Sequence, residues 1–518
     1  MRPSDDLFHL IKSLSKSEKR YFKLMASVPR GEKNYIRLFD FLGEMPEYDE
    51  DAVRAHFAGE RFINQLNVTK HYLYELILKS LRSYHTGYSA KAQITDLLKS
   101  AEILREKGLN EQGLRLVEKA IAIAKEHEAM LLLQQALLAR NQYTSTYTLT
   151  AAEVNARFDE LCQVMERQRN ILDYERLVVH MNGIQYNCGA RTEEDYLLLE
   201  RCRWDPLMSS FDNATSVRAQ YLYLAVLMQY NVEHGRLEEA LDIVTRQNNL
   251  LESNPALIAE NAIAYLSNLV NSVVLTMALG NAQAFREALE YFRQRGEMLL
   301  ANTRLAGSRI QAHLFVTYHA SLMDFHFQNG MFEECAELTE SMEKGLDEHT
   351  PYMDDYDMVR LMGLAACIEF GRGRFSRALD FNNRMLRVPE PDGPLQSYHH
   401  HGRLFNLIVH YELGNIDLLS YLILNTTRNL STHDRLQQFE RALLKFFKRL
   451  LRTTITERQK LLGDFREELL ELINDPASRP AFNYFCYIEW MTSKIENRPL
   501  GSVLQESRRL EFNNSAAA

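Results

Sequence analysis

The densest run of metal-ligating side chains in the chain is Tyr398-His-His-His-Gly402. A structural or catalytic metal needs three or four such donors aimed at one point. On a helix, successive side chains point about 100° apart, so His399, His400 and His401 cannot converge on one ion. His399, Arg403, Asn406 and His410 share a helical face, but a guanidinium there disfavours a cation. The acidic run "DEHTPYMDDYD" (347–357) lacks the glycine and ligand spacing of an EF-hand loop, and reads as a solvated link between helices. Gly108-x-x-x-x-Gly113 continues as Leu114-Arg115 rather than Lys-Ser/Thr, which excludes a phosphate loop. No G-x-G-x-x-G, G-x-S-x-G or H-E-x-x-H occurs. Cys162, Cys188, Cys202, Cys335, Cys367 and Cys486 form no C-x-x-C pair and read as buried thiols of a reducing compartment. The expectation is therefore a protein without catalytic residues, metal or cofactor.

What remains is architecture. The 518 residues are 46% hydrophobic and 25% charged, with only 22 Gly and 12 Pro. Few breakers among much Leu, Ala, Glu, Lys and Arg favour helix throughout. The formal charge of −9 argues against general coating of nucleic acid but leaves room for a local basic patch. The N-terminus has no apolar signal-peptide core, and no window approaches 18 uncharged apolar residues. A cytoplasmic location is the expectation.

One turn recurs along the chain. "GRLEEA" begins at Gly235, "GMFEEC" at Gly330, "GRFSRA" at Gly373, "GLNEQG" at Gly108 and "GNIDLL" at Gly414, with a looser "GNAQAFREA" at Gly280. Each lies between two apolar helical stretches. Glycine can end the first helix in the left-handed conformation, polar or acidic residues suit the next helix start, and a small residue five positions on permits close helix approach. Capping boxes at Thr150/Glu153 and Thr454/Glu457 agree, as do N-cap–Pro pairs at Asn254-Pro255 and Thr350-Pro351.

This turn resembles that of tetratricopeptide (TPR) repeats, and around Gly108 the positions Leu97, Ala101, Leu104, Gly113, Val117 and Ala120 match its packing pattern. The spacing of the turns from Gly235 to Gly414, 41 to 50 residues, exceeds the TPR repeat of about 34, and the early first-helix Trp is missing. The resemblance implies an all-α fold, a right-handed α–α superhelix of degenerate TPR-like repeats over residues 87–430. Repeats and a cap follow over 431–500, with a frayed tail at 501–518. The stretch between Gly108 and Gly235 has room for two further helix pairs, one turning near 187–195.

Residues 1–86 form a separate helical module, with helices expected near 5–13, 16–27, 33–43, 49–57 and 62–85. Ser15 and Glu18 form a capping box. Behind it Lys16, Lys19, Arg20 and Lys23 share one face and Tyr21, Met25 and Val28 the other. "LSKSEKRYFKLMA" and "QLNVTKHYLYELILKSLR" resemble the first and last helices of LuxR-type helix-turn-helix domains. That likeness implies Lys70, His71, Tyr74 and Lys79 facing DNA, although the segment between them departs from the family spacing and carries Glu47, Asp49, Glu50 and Asp51. The same N-terminal text resembles uncharacterised bacterial helical-repeat proteins. In "FERALLKFFKRLLR", Phe439, Leu443, Phe446 and Leu450 form an apolar stripe opposite Arg441, Lys445, Lys448 and Arg452, read as a packed helix rather than a membrane-surface one.

In TPR-like arrays first helices line the concave surface. Counting back from the turns places Arg176, Asn187, Gln229, Asn261, Asn268, Thr317, Asp324, Arg360, His399, Arg403, Asn406 and His410 there. Such donors and acceptors suit an extended peptide. The functional expectation is a non-enzymatic scaffold or adaptor for a protein or peptide partner. The alternative is a transcriptional regulator with an N-terminal DNA-binding module and a TPR-like sensor.

Overall fold

All six turn glycines adopt positive φ, from 63° at Gly330 to 75° at Gly108. In each turn the residue after glycine donates its N–H to the carbonyl five residues earlier: Leu109 to Leu104 at 2.9 Å, Arg236 to Asn231 at 2.8 Å, Asn281 to Thr276 at 3.3 Å, Met331 to His326 at 2.8 Å, Arg374 to Glu369 at 2.9 Å and Asn415 to His410 at 3.0 Å. These are Schellman closures, which satisfy carbonyls that a helix end otherwise leaves open. The small residues Gly113, Ala240, Cys335 and Ala378 behind them are buried. A Cβ on Gly113 would lie 2.5 Å from the ring of Tyr143, whose hydroxyl donates to the Ala101 carbonyl.

The computed structural model describes residues 5–27, 34–86, 89–143, 149–186, 193–301, 308–389, 394–432, 436–475 and 478–515. Among them all regular structure is helical. The N-terminal helices are α1 (Asp6–Ser13), α2 (Lys16–Ser27), α3 (Asn34–Glu44), α4 (Glu50–His56) and α5 (Leu66–Thr86). Then come α6 (Ala90–Glu106), α7 (Asn110–Glu126), α8 (Met130–Tyr143), α9 (Ala151–Tyr186) and α10 (Glu193–Arg203). The next are α11 (Val217–Glu233), α12 (Leu237–Glu252), α13 (Pro255–Glu260), α14 (Ala262–Ala278), α15 (Ala282–Ala301), α16 (Ser308–Gln328), α17 (Ala336–His349), α18 (Asp355–Gly371), α19 (Phe375–Arg387), α20 (Pro394–Glu412) and α21 (Ile416–Thr432). The chain ends with α22 (Gln438–Leu450), α23 (Ile455–Leu472), α24 (Tyr487–Glu496) and α25 (Leu500–Ser515). Sequential neighbours pack together most extensively: α6 with α7, α11 with α12, α14 with α15 and α18 with α19.

Several expectations need correction. Where two helix pairs had room, the 36-residue α9 runs unbroken from Ala151 to Tyr186. Thr350 does not cap a helix: Thr350–Tyr352 is a 3₁₀ turn, and Asp354 caps α18 by accepting from the Asp357 N–H at 2.8 Å. In α2 the buried residues are Phe22 and Ala26, while Met25 is 44% exposed and Val28 lies outside the described residues. Phe22 is held by the ring of Phe39, 4.6 Å away between centroids. The Ser15–Glu18 and Thr150–Glu153 boxes form as read, each with both reciprocal bonds.

The C-terminal segment turns back on the chain. Trp490 donates to Glu412 at 2.7 Å, the Cys367 thiol to the Tyr484 carbonyl at 3.6 Å, and the Tyr484 ring stacks on His401 at 3.9 Å. The start of α25 sits on the α16–α17 turn, where Gln505 donates to the Gly330 carbonyl at 3.3 Å. One core cluster consequently runs from Val316 to Leu504.

Candidate binding groove

The twelve polar residues singled out in the sequence do not form one line. Asp324 and Arg360 come together, lining a cavity of about 540 Å³ with Tyr398, His401, Tyr484 and Arg508. Burial raises the Asp324 carboxyl above its usual range, against a hydrogen bond from Gln328. Burial pushes the His401 imidazole down to about 3. The chain's own C-terminal segment forms one side of this cavity.

Most of the others are engaged within the fold. Gln229 is buried and donates to the Met181 carbonyl at 3.0 Å. Asn268 is buried, donating to Asn248 at 2.7 Å and accepting from Tyr221 at 3.3 Å. Thr317 and His399 are buried, and His410 is buried against Asn415 at 3.0 Å. Arg403 and Asn406 are half-buried. The side of α20 that lines the cavity instead carries Tyr398, His401, Gly402 and Phe405, one step round the helix. Arg176 is exposed, 3.6 Å from Asp173. Asn187 lies outside the described residues.

In the N-terminal module Lys16, Arg20 and Lys23 are exposed and Lys19 half-buried. Lys23 pairs with Asp40 at 2.7 Å. Burial, reinforced by Lys12 and Lys23, lowers the Lys19 ammonium. Lys70 is buried, donating to the Tyr48 hydroxyl at 2.8 Å and to Glu50 at 3.3 Å. A lysine so engaged does not present its charge to a phosphate.

The ninth helix defines a different site. Phe158, Met165, Leu172 and Val179 recur every seventh residue along α9 and are 55%, 49%, 54% and 64% exposed. On α8, Leu131 and Leu138 are 61% and 43% exposed. Leu131 and Leu172 line one groove of about 880 Å³. Arg140 pairs with Glu160 at 2.7 Å, which sets the antiparallel register of α8 and α9. Leu131 and Gln135 of α8 and Gln168 and Leu172 of α9 line the same groove, while Leu138 and Met165 are exposed nearer the α8–α9 connection. Each helix thus gives the groove an exposed leucine and an amide. Neither Gln135 nor Gln168 has a hydrogen-bond partner among the described residues, so both amides can serve a ligand.

The far wall comes from α11 to α14, with Tyr221, Leu222, Leu257, Ile258 and Tyr265. Polar ties fix the walls. Glu260 accepts from the Ala90 N–H at 3.2 Å and lies 3.7 Å from His127, joining α13 to α6 and α7. Arg218 pairs with Glu175. Glu128, with φ 47°, closes the α7–α8 turn as glycine does elsewhere, the next N–H reaching the Ala124 carbonyl at 2.9 Å. Asn261 stands on the rim, where its side chain caps α14 by accepting from Ala264 at 3.1 Å.

The sequence reading missed this strip. In "MLLLQQALLA" every position around the helix is apolar or amide, so periodicity cannot separate Leu131 from the buried Leu133. The seven-residue spacing on α9 was the readable signal.

Among the described residues no cluster of three or more His, Cys, Asp or Glu could hold a metal ion, and no helix is long and apolar enough to cross a membrane. Comparison with protein-family models, curated proteins and solved structures finds no match.

Proposed function

We propose that this protein is a non-enzymatic scaffold of TPR-like solenoid architecture that captures an amphipathic helix of a partner protein in the α8–α9 groove. The observation that carries the reading is the set of exposed apolar side chains on the two helices, Leu131 and Leu138 on α8 and Met165 and Leu172 on α9, with Leu131 and Leu172 lining one groove beside the amides of Gln135 and Gln168. On each helix the apolar pair is seven residues apart, or ~10 Å at the α-helical rise. A partner helix laid along the strip meets them with apolar side chains at i and i+7, and meets the amides with polar ones between. Exposed apolar residues in such a line are unfavourable in water, and covering them supplies the driving force. The regular Schellman turns and the long second core support the repeat architecture.

Capture from native lysate tests the reading. A Leu131→Glu/Leu172→Glu variant alters only exposed side chains, so its fold is retained while partner recovery falls at least tenfold. A partner recovered equally by variant and wild type would remove the groove from the proposal.

A further inference from the structure

We infer that the outward face of α22 is a second binding surface, for the phosphate backbone of a nucleic-acid duplex. Arg441, Lys445, Lys448, Arg449 and Arg452 are all exposed, and all line one shallow depression of about 310 Å³. At helical spacing they fall within about a 100° arc and span ~16 Å of helix. No carboxylate pairs with any of the five among the described residues. The five cluster on one face although the chain as a whole has 69 acidic and 60 basic residues. Other surface cations are matched, as where Arg293 lies between Glu290 at 2.7 Å and Glu297. The helix dipole rationalises the cations of the last turn but not Arg441 and Lys445.

The composition of the surface selects the partner. The apolar stripe Phe439, Leu443, Phe446 and Leu450 is fully buried, so α22 has no apolar face to insert into a bilayer. Leu444 in the depression is buried and Leu436 half-buried, which leaves less exposed apolar side chain than the centre of a protein interface uses. No aromatic side chain lines it, so unpaired bases have nothing to stack on. What remains is a row of cations, three of them guanidiniums, matched to regularly spaced phosphates without base readout.

The full-length protein titrated against a fluorescently labelled DNA duplex tests this by anisotropy at several salt concentrations. Five phosphate contacts predict a log–log salt slope of about −4 to −5, or about 500-fold weaker binding between about 50 and 200 mM salt. Lys445→Gln/Lys448→Gln/Arg449→Gln should bring the slope to about −2 with unchanged thermal melting. Lys16→Gln/Arg20→Gln in the N-terminal module should leave the slope as in wild type. No duplex binding at low salt, or a wild-type slope in the triple variant, would overturn the inference. So would tighter binding to phosphatidylserine vesicles or to polyglutamate than to duplex.

Discussion

The carboxylate of Glu128 accepts the backbone N–H of Val217 at 3.0 Å, and its second oxygen accepts that of Arg218 at 3.0 Å. Glu128 thereby joins the α7–α8 turn to the start of α11, on opposite sides of the groove. It does so with φ 47°, which costs a non-glycine residue ~1 kcal/mol or more. Glu128→Ala keeps that strain and loses the cap, so it should destabilise the protein by ~1–2 kcal/mol. Glu128→Gly relieves the strain while losing the cap and should lie within ~1 kcal/mol of wild type. Urea unfolding of the two variants checks the ordering. An alanine variant as stable as the glycine one would contradict it.

Two glycines that look alike in sequence should respond oppositely to alanine. A Cβ on Gly501 would stand 2.7 Å from the Gly330 carbonyl oxygen, so α25 could not keep its seat on the α16–α17 turn. Gly501→Ala should cost ~1–3 kcal/mol. Gly463, inside α23, has nothing within 4 Å of its would-be Cβ, and Gly463→Ala should stabilise by ~0.5–1 kcal/mol. Thermal melts should move in opposite directions.

Acid should weaken the fold before its carboxylates protonate. Burial lowers the imidazole pKa of His313, His319, His326, His401 and His410, His401 to about 3. A folded-state pKa below the unfolded value of about 6.5 means the unfolded chain takes up the proton first. Stability is therefore full above about pH 6.5 and falls as pH drops below it, by at most ~1.4 kcal/mol per pH unit per histidine. The ion-paired carboxylates Glu50 and Glu160, whose pKa values are lowered, keep their contribution until a lower pH. Melting temperature should fall between about pH 7 and pH 5, less steeply in His401→Gln. A flat profile over that window would contradict the burial of these rings.

The turns were legible because glycine at a left-handed helix end is a local requirement, written in the residue that meets it. The five N-terminal helices were legible for the same reason, through local caps and periodicity. Glu128 was not, because its left-handed conformation is supported by backbone groups 89 and 90 residues away. The return of the C-terminus was hidden likewise, since Trp490 and Glu412 are 78 residues apart in sequence. It places the chain's own Tyr484 and Arg508 in the cavity lined by Asp324 and Arg360, which were expected to await a ligand. Lys70 reads as a surface cation in "VTKHYLYEL" until Tyr48 and Glu50 fold over it.

The groove is tested most directly by where a partner touches the protein. A photo-crosslinking amino acid at position 172 should trap a partner from native lysate. The same group at position 424, a leucine 57% exposed on α21, should not. Adding Leu131→Glu should abolish the adduct at 172. Equal adducts at 172 and 424, or one at 172 that persists with Leu131→Glu, would contradict helix capture in the α8–α9 groove.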